Sequence, residues 1–246
     1  MRRRRAPAPV PQEPPAQRGR SNAARSDSTS ARTSQPSRWS FTSPWACISA
    51  YIVVGPTCLK PRPFSAAASR PVAGDDRFFE KVCLEGFQSG LSWRLILHRR
   101  EAFREAFEGF AIERVARFSD ADVERLATNP AIVRNRAKIA AAVHNARRAL
   151  ALRDEVGALD AFFWSFEPPP EERPAAAPTL APLRANPTSP SSGRLAEALR
   201  ARGFRHVGPT TMHALMQAHG LVNDHVDGCD FRTEVEAERT AFARPT

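Results

Sequence analysis

Apolar positions recur along most of the chain with a helical period. Phe79, Val82, Cys83, Gly86 and Phe87 fall at i, i+3, i+4, i+7 and i+8, which predicts a helix over roughly residues 75–89 with one buried stripe. Glu85 lies beside that stripe, near Phe78 and Val82. A second helix carries Leu95, Phe103 and Phe107, and a third opens at Ser119, whose hydroxyl can cap the turn that follows, and holds Val123 and Leu126. A long helix repeats Ile139, Val143, Ala146 and Leu150, with Arg134, Arg136, Lys138, Arg147 and Arg148 distributed around it, most simply as a solvated face. Strand-like alternation is absent, so the expected fold class is all-α.

The pattern breaks over residues 167–190, where Pro and Ala crowd together and Pro168, Pro169 and Pro170 stand in a row. A helix cannot run through such a stretch, because each Pro lacks an amide donor and clashes with the preceding turn, so it reads as a surface connector. Beyond it, Ser192 precedes a helix through Leu195, Leu199 and Arg200; the run Gly203-Phe204-Arg205-His206-Val207-Gly208-Pro209 interrupts; and a second helix starts at Thr210 with Met212, Leu215 and Met216 facing inward. The free amides at the start of that second helix, approached past Gly208, suit a phosphate. This makes residues 192–219, and Gly203, Val207, Gly208 and Thr210 in particular, the candidate DNA-backbone grip, although taken alone such a turn serves equally as an ordinary helical corner. The last stretch, residues 233–246, is charged, short of large apolar residues, and expected to be a frayed helix or tail.

Charge changes the picture at the other end. The chain of 246 residues has a net charge of +10, but residues 1–69 hold eleven Lys and Arg against only Glu13 and Asp27, so nine of the ten charges sit there and the remainder is close to neutral. The overall basicity therefore says little about the folded part. The leader, rich in Arg, Pro and Ser and poor in acids, is expected to be disordered, and it fits an organelle-targeting segment, a DNA-touching tail or translated upstream sequence. No run of roughly 18 apolar residues occurs, so a membrane span is not expected. Residues 70–232 are long enough for one core, and nothing demands more than a monomer. Cys83 falls on a helical core stripe, and a disulfide framework built from Cys47, Cys58, Cys83 and Cys229 is not expected.

Three blocks carry chemistry: Cys83-Leu84-Glu85-Gly86-Phe87-Gln88-Ser89-Gly90-Leu91-Ser92-Trp93, the interrupted helix pair around Gly203 to Thr210, and Leu221-Val222-Asn223-Asp224-His225-Val226-Asp227-Gly228-Cys229. In this order and spacing, with Ala131 to Ile139 and Phe162 to Phe166, they resemble the DNA-3-methyladenine glycosylase I family of base-excision repair enzymes over about residues 70–229. The resemblance implies a helix-hairpin-helix glycosylase-like domain acting on alkylated double-stranded DNA in an intracellular setting. It implies that Glu85 recognises the flipped base and is the residue on which catalysis rests, and that Trp93 lines the base pocket. An N3-methylated adenine is cationic, so a carboxylate and an aromatic face suit it. The implied reaction is hydrolysis of the N-glycosidic bond to leave an abasic site.

The resemblance also implies zinc, with His225 and Cys229, four residues apart, as two of four ligands. The family's N-terminal ligands and Tyr-bearing motif have no counterpart: Tyr51 and Phe64 stand where those ligands would fall, and the spacing of Cys47 and Cys58 does not match. No catalytic role attaches to Asp224. A second reading of the chain is thus a non-catalytic helix-hairpin-helix DNA-binding protein that has lost its N-terminal pocket and zinc ligands.

Overall fold

The computed structural model describes residues 70–173, 177–178, 185–229 and 231–246, all within one compact unit. The leader, including Cys47, Tyr51, Cys58 and Phe64, and most of the middle of the connector lie outside the described residues. Those described are helical, with no strand among them. The helices are α1 (Asp75–Gln88), α2 (Trp93–His98), α3 (Arg100–Ala106), α4 (Ile112–Ala116), α5 (Asp120–Thr128), α6 (Arg136–Val156), α7 (Leu159–Trp164), α8 (Pro190–Ala201), α9 (Pro209–Ala218) and α10 (Arg232–Ala241), with short 3-10 turns at Glu108–Phe110 and Pro170–Glu172. None is long and apolar enough to cross a membrane.

Helix α1 is the hub. It packs against α2, α6, α7 and α9, and its buried residues run from Phe78 without interruption to Gln88 apart from Lys81, so it is enclosed nearly all round rather than on one stripe. Phe78 stacks on Phe163 at 4.8 Å, and Phe87 meets Phe103 at 4.6 Å. The acidic residues at its start serve the neighbours: Asp75 accepts from the amides of Leu159 and Asp160 at the head of α7, and Asp76 accepts from that of Ile112 at the head of α4. At its other end Lys138 donates to the Phe87 carbonyl at 2.9 Å and also to that of Ser89, a cation placed against the negative pole of the helix.

Several expected elements appear where periodicity put them. Ser119 caps α5 within a full capping box, accepting from the Asp122 amide at 3.3 Å while Asp122 accepts from Ser119. Helix α6 buries Ile139, Val143 and Ala146. Three differences have visible causes. The helix expected through Leu95 and Phe107 is two helices, broken at Arg99, whose guanidinium holds the carbonyls of Pro130 and Ile132 at 3.2 and 2.8 Å; Ile96 rather than Leu95 is the fully buried residue. Helix α8 begins at Pro190 because Ser189 is its cap, and Ser192 is the third helical residue that closes the capping box. The basic residues of α6 are not simply solvated: Arg147 donates to the carbonyls of Ala116 and Phe118, and Lys138 closes α1 as described.

The C-terminal stretch forms α10, and it is docked. Arg239, 4% exposed, donates to Glu167 Oε1 at 2.7 Å and to the Leu221 carbonyl at 2.9 Å, Arg244 donates to Glu167 Oε2 at 3.0 Å, and Phe242 lies 4.9 Å from the Trp164 ring. Arg70, at the start of the described chain, pairs with Glu234 and Glu238 of the same helix. The crossing of the two ends is close: a Cβ on Gly220 would come within 2.6 Å of the Pro71 nitrogen, and Gly220 has φ +73°. Both the clash and the left-handed backbone oppose a side chain, so Gly220→Ala is expected to lower unfolding stability by about 2 kcal/mol or more, read as a lower urea midpoint at unchanged slope.

Candidate active site

The residues at issue lie on three elements that meet at α1. Glu85 is on its enclosed face and is 1% exposed; Trp93 opens α2, whose first turn is capped by the Ser92 hydroxyl accepting from the Leu95 amide. Lys81, one turn before Glu85 and only 11% exposed at its side chain, places its Nζ 2.7 Å from Glu85 Oε1 and 4.0 Å from the centroid of the Trp93 ring. The carboxylate is therefore ion-paired, and beyond that ammonium neither Glu85 oxygen has a partner among the described residues. Burial pushes the Glu85 carboxyl above the ordinary range, with Lys81 opposing it, and burial lowers the Lys81 ammonium, with Glu85 opposing.

Glu80, on the same helix and also buried, is the instructive contrast. Burial works against its charge too, but Arg100 donates at 2.7 Å and Arg104 at 2.9 and 3.1 Å, and together they hold it below the usual carboxylate value. Glu80 is saturated with donors, whereas Glu85 has acceptor capacity in reserve.

The segment between α8 and α9 packs over the same region. Asn145 of α6 grips it from both sides, donating to the Arg205 carbonyl at 2.9 Å and accepting from the Arg205 amide at 2.8 Å, and His144 meets the Gly203 carbonyl at 2.9 Å. His206 has φ +57° and sits against α1 so closely that a Cβ on Gly86 would lie 3.3 Å from its own. Val207 is buried, which makes it an anchor of the turn. Gly208 is the N-cap of α9 with no side-chain cap, and Pro209 takes the first helical position, so the free amides begin at Thr210. The structure thus brings Glu85, Trp93, Gly203, Val207, Gly208 and Thr210 onto one assembly of α1, α2, α6 and α9.

His225 and Cys229 are in a different setting. His225 is buried with Nδ1 2.8 Å from Asn223 Oδ1, and Arg232 donates to its carbonyl at 2.5 Å. Cys229 is also buried, and its amide donates to the Val226 carbonyl at 3.1 Å. Among the described residues no group of three or more His, Cys, Asp or Glu side chains is arranged to hold a metal. Asp224 is committed elsewhere; burial raises its carboxyl, but hydrogen bonds from His213 at 3.0 Å and Gln217 at 2.8 Å outweigh that and keep it low.

An open cleft of about 420 Å³ is lined by Gly74, Asp75, Asp76, Arg77, Glu113, Arg153 and Asp160 and includes neither Glu85 nor Trp93. Three of its four acids are structural acceptors, for Asp160 accepts from the Gly74 amide at 2.6 Å and Asp75 and Asp76 cap α7 and α4.

The sequence profile of the methyladenine glycosylase family matches residues 66–233, more than half of the chain. The chain belongs to that family. It is 42% identical over 160 residues to DNA-3-methyladenine glycosylase 1 of Escherichia coli strain K12, covering 65% of this chain and 83% of that one. It is 38% identical over 165 residues to DNA-3-methyladenine glycosylase of Haemophilus influenzae Rd, covering 67% and 87%. A crystal structure of 3-methyladenine DNA glycosylase I superposes with a TM-score of 0.63 at 39% identity, over 70% of this chain and 95% of the other.

Sequence reasoning singled out Glu85 and Trp93 but missed Lys81 and His219, both near them. His219 is 7% exposed, its ring lies 4.7 Å from that of Phe78, and its Nδ1 has no partner. Burial first, then the nearby cations of Lys81, Arg77 and Arg100, lower its pKa from 6.5 to about 3. A depressed folded value means that the unfolded chain takes up a proton the native state refuses, so stability is lost as pH falls from 6.5 toward 3. Replacing His219 with Phe is expected to flatten that acid limb by up to roughly 1.4 kcal/mol per pH unit, visible as a smaller gap between urea midpoints measured at pH 7 and pH 4.5.

Proposed function

We propose that the protein is a DNA-3-methyladenine glycosylase that hydrolyses the N-glycosidic bond of 3-methyladenine in alkylated duplex DNA and leaves an abasic site. The observation that carries this reading is the buried Glu85, paired with a Lys81 ammonium that also lies over the Trp93 ring and otherwise without a partner among the described residues, in a chain whose relatives are named for this activity. It favours an active enzyme over a non-catalytic DNA-binding protein, since a buried carboxylate met by a single ammonium, with acceptor capacity to spare, is costly unless a ligand uses it.

In this mechanism Glu85 accepts hydrogen bonds from the edge of the flipped base while Trp93 presents its ring to the cation. The methylated base is already a positively charged leaving group. As the bond from C1′ to the base breaks, its electron pair passes to the ring and neutralises it; the oxygen of a water molecule bonds to C1′ and a proton is released to solvent. No general acid is needed, which agrees with Asp224 being locked by His213 and Gln217. No step is assigned to zinc.

We read α8, its turn and α9 as the helix-hairpin-helix that grips the DNA backbone, with the amides from Thr210 onward and the helix dipole directed to a phosphate and no base read. Alkylated duplex DNA is the partner required, and one copy of the chain suffices.

Release of free 3-methyladenine from methylated duplex DNA tests the first part. Glu85→Gln is expected to reduce release about 10- to 100-fold, the worth of a hydrogen bond to a charged group, and release at the parent rate would remove Glu85 from the site. The second part is tested at Gly208, where φ is −84° and a Cβ meets nothing closer than Thr211 at 3.9 Å. Gly208→Asp introduces a good helix cap and a negative charge at the anion site. It is expected to leave the melting temperature unchanged or higher while weakening binding to undamaged duplex about tenfold, with a shallower salt dependence.

A further inference from the structure

Lys81 occupies the position that a cationic ligand of Glu85 and Trp93 would take. Its ammonium has the carboxylate on one side at 2.7 Å and the indole face on the other at 4.0 Å, which are the two contacts proposed above for a methylated base. We infer that Lys81 is a specificity-determining residue: in the free protein its ammonium holds the cation seat between Glu85 and Trp93, and only a base that is itself positively charged replaces it without loss. This inference rests on the reading of Glu85 and Trp93 as the base site.

The argument is one of charge exchange. A cationic base that displaces the ammonium leaves Glu85 neutralised and the Trp93 ring facing a cation, so the site keeps both interactions while Lys81 moves toward water through the side on which it is already partly exposed. A neutral purine cannot do this. It would leave a carboxylate buried to 1% exposure with no counter-charge, the arrangement that protein interiors tolerate least. The surroundings sharpen the choice, because the other charges bearing on Lys81 are already committed. Glu80 is bound by Arg100 and Arg104, and His219 is kept neutral, so Glu85 is the counter-ion that Lys81 and an incoming base must share.

The same logic gives Lys81 a part in turnover. Once the glycosidic electron pair has passed to the base, the base is neutral and no longer matches the seat, and the ammonium returns to Glu85 and displaces it. Without Lys81 the seat changes character, since burial favours a protonated Glu85, which hydrogen-bonds a neutral purine and gains nothing from a cationic one.

Isothermal titration of the full chain with adenine and with the 3,9-dimethyladeninium cation measures the preference directly. The parent protein is expected to favour the cation. Lys81→Met, which keeps length and removes charge, is expected to cut the ratio of the two affinities about tenfold, mainly by tightening adenine, and Lys81→Arg is expected to restore it. Lys81→Gln, able to hydrogen-bond Glu85, is the second neutral variant should the Met protein not fold. An unchanged ratio in the neutral variant overturns the role of Lys81. Failure of the underlying reading looks different: Glu85→Gln then leaves both affinities of the parent untouched, so the base does not sit here and Lys81 does not select it.

Discussion

Holding a carboxylate out of water on a helix enclosed nearly all round is the constraint around which the rest is arranged. An ionised group in that position costs several kcal/mol unless it is paired, and even a well-placed counter-ion only partly offsets the loss of hydration. Helix α1 carries two such groups and treats them differently. Glu80 receives three hydrogen bonds from Arg100 and Arg104 and becomes a structural tie to α3. Glu85 receives a single ammonium, at 2.7 Å. Such an unsaturated acceptor persists only if its surroundings cannot rearrange to satisfy it, and α1 is fixed at both ends, by Asp75 and Asp76 reaching to α7 and α4 and by Lys138 on its last carbonyls.

The turn before α9 depends on the same helix. Gly86, next to Glu85, is where His206 approaches α1, and Asn145 clamps Arg205 from the far side. A phosphate held at the start of α9 would therefore sit at a set distance from a base held at Glu85, because α9 packs directly on α1 and the turn before it is anchored by the buried Val207. On the proposed reading this rigidity gives a base-flipping protein its register: the backbone grip carries no sequence information, but it decides which nucleotide stands opposite the pocket.

What could be read from the sequence was whatever local spacing encodes. The helix through Phe79 and Phe87, the Ser119 cap and the inward Met212, Leu215 and Met216 follow from helical period and capping chemistry, and the structure has them, although that helix is enclosed nearly all round rather than on one stripe. The break at Arg99 was not legible, since an apolar spacing of eight runs smoothly across it and the carbonyls that the Arg99 guanidinium holds lie more than thirty residues away. The docking of α10 was hidden for the same reason: its composition is polar, and Arg239 and Arg244 are buried or held by Glu167, over seventy residues distant. Lys81 and Glu85, four apart on a helix, are the commonest of solvated pairs. Only the packing of α2 and α9 around α1 makes them an enclosed one.

On the proposed reading, that enclosure bears on why a site for a charged base should hold a lysine at all. A negative charge kept dry attracts a cation strongly, but when the cation is absent the charge either destabilises the fold or takes up a proton and ceases to attract anything. Water would prevent both and would also screen the attraction that selects the ligand. A tethered ammonium keeps the carboxylate ionised and the site dry, and what a ligand then experiences is the difference between its own fit and that of the lysine. Discrimination is set by that difference rather than by the full strength of the pair. An enzyme whose leaving group needs no acid has little else to arrange, so selectivity between charged and neutral bases, more than rate acceleration, is what the residues around Glu85 are placed to supply.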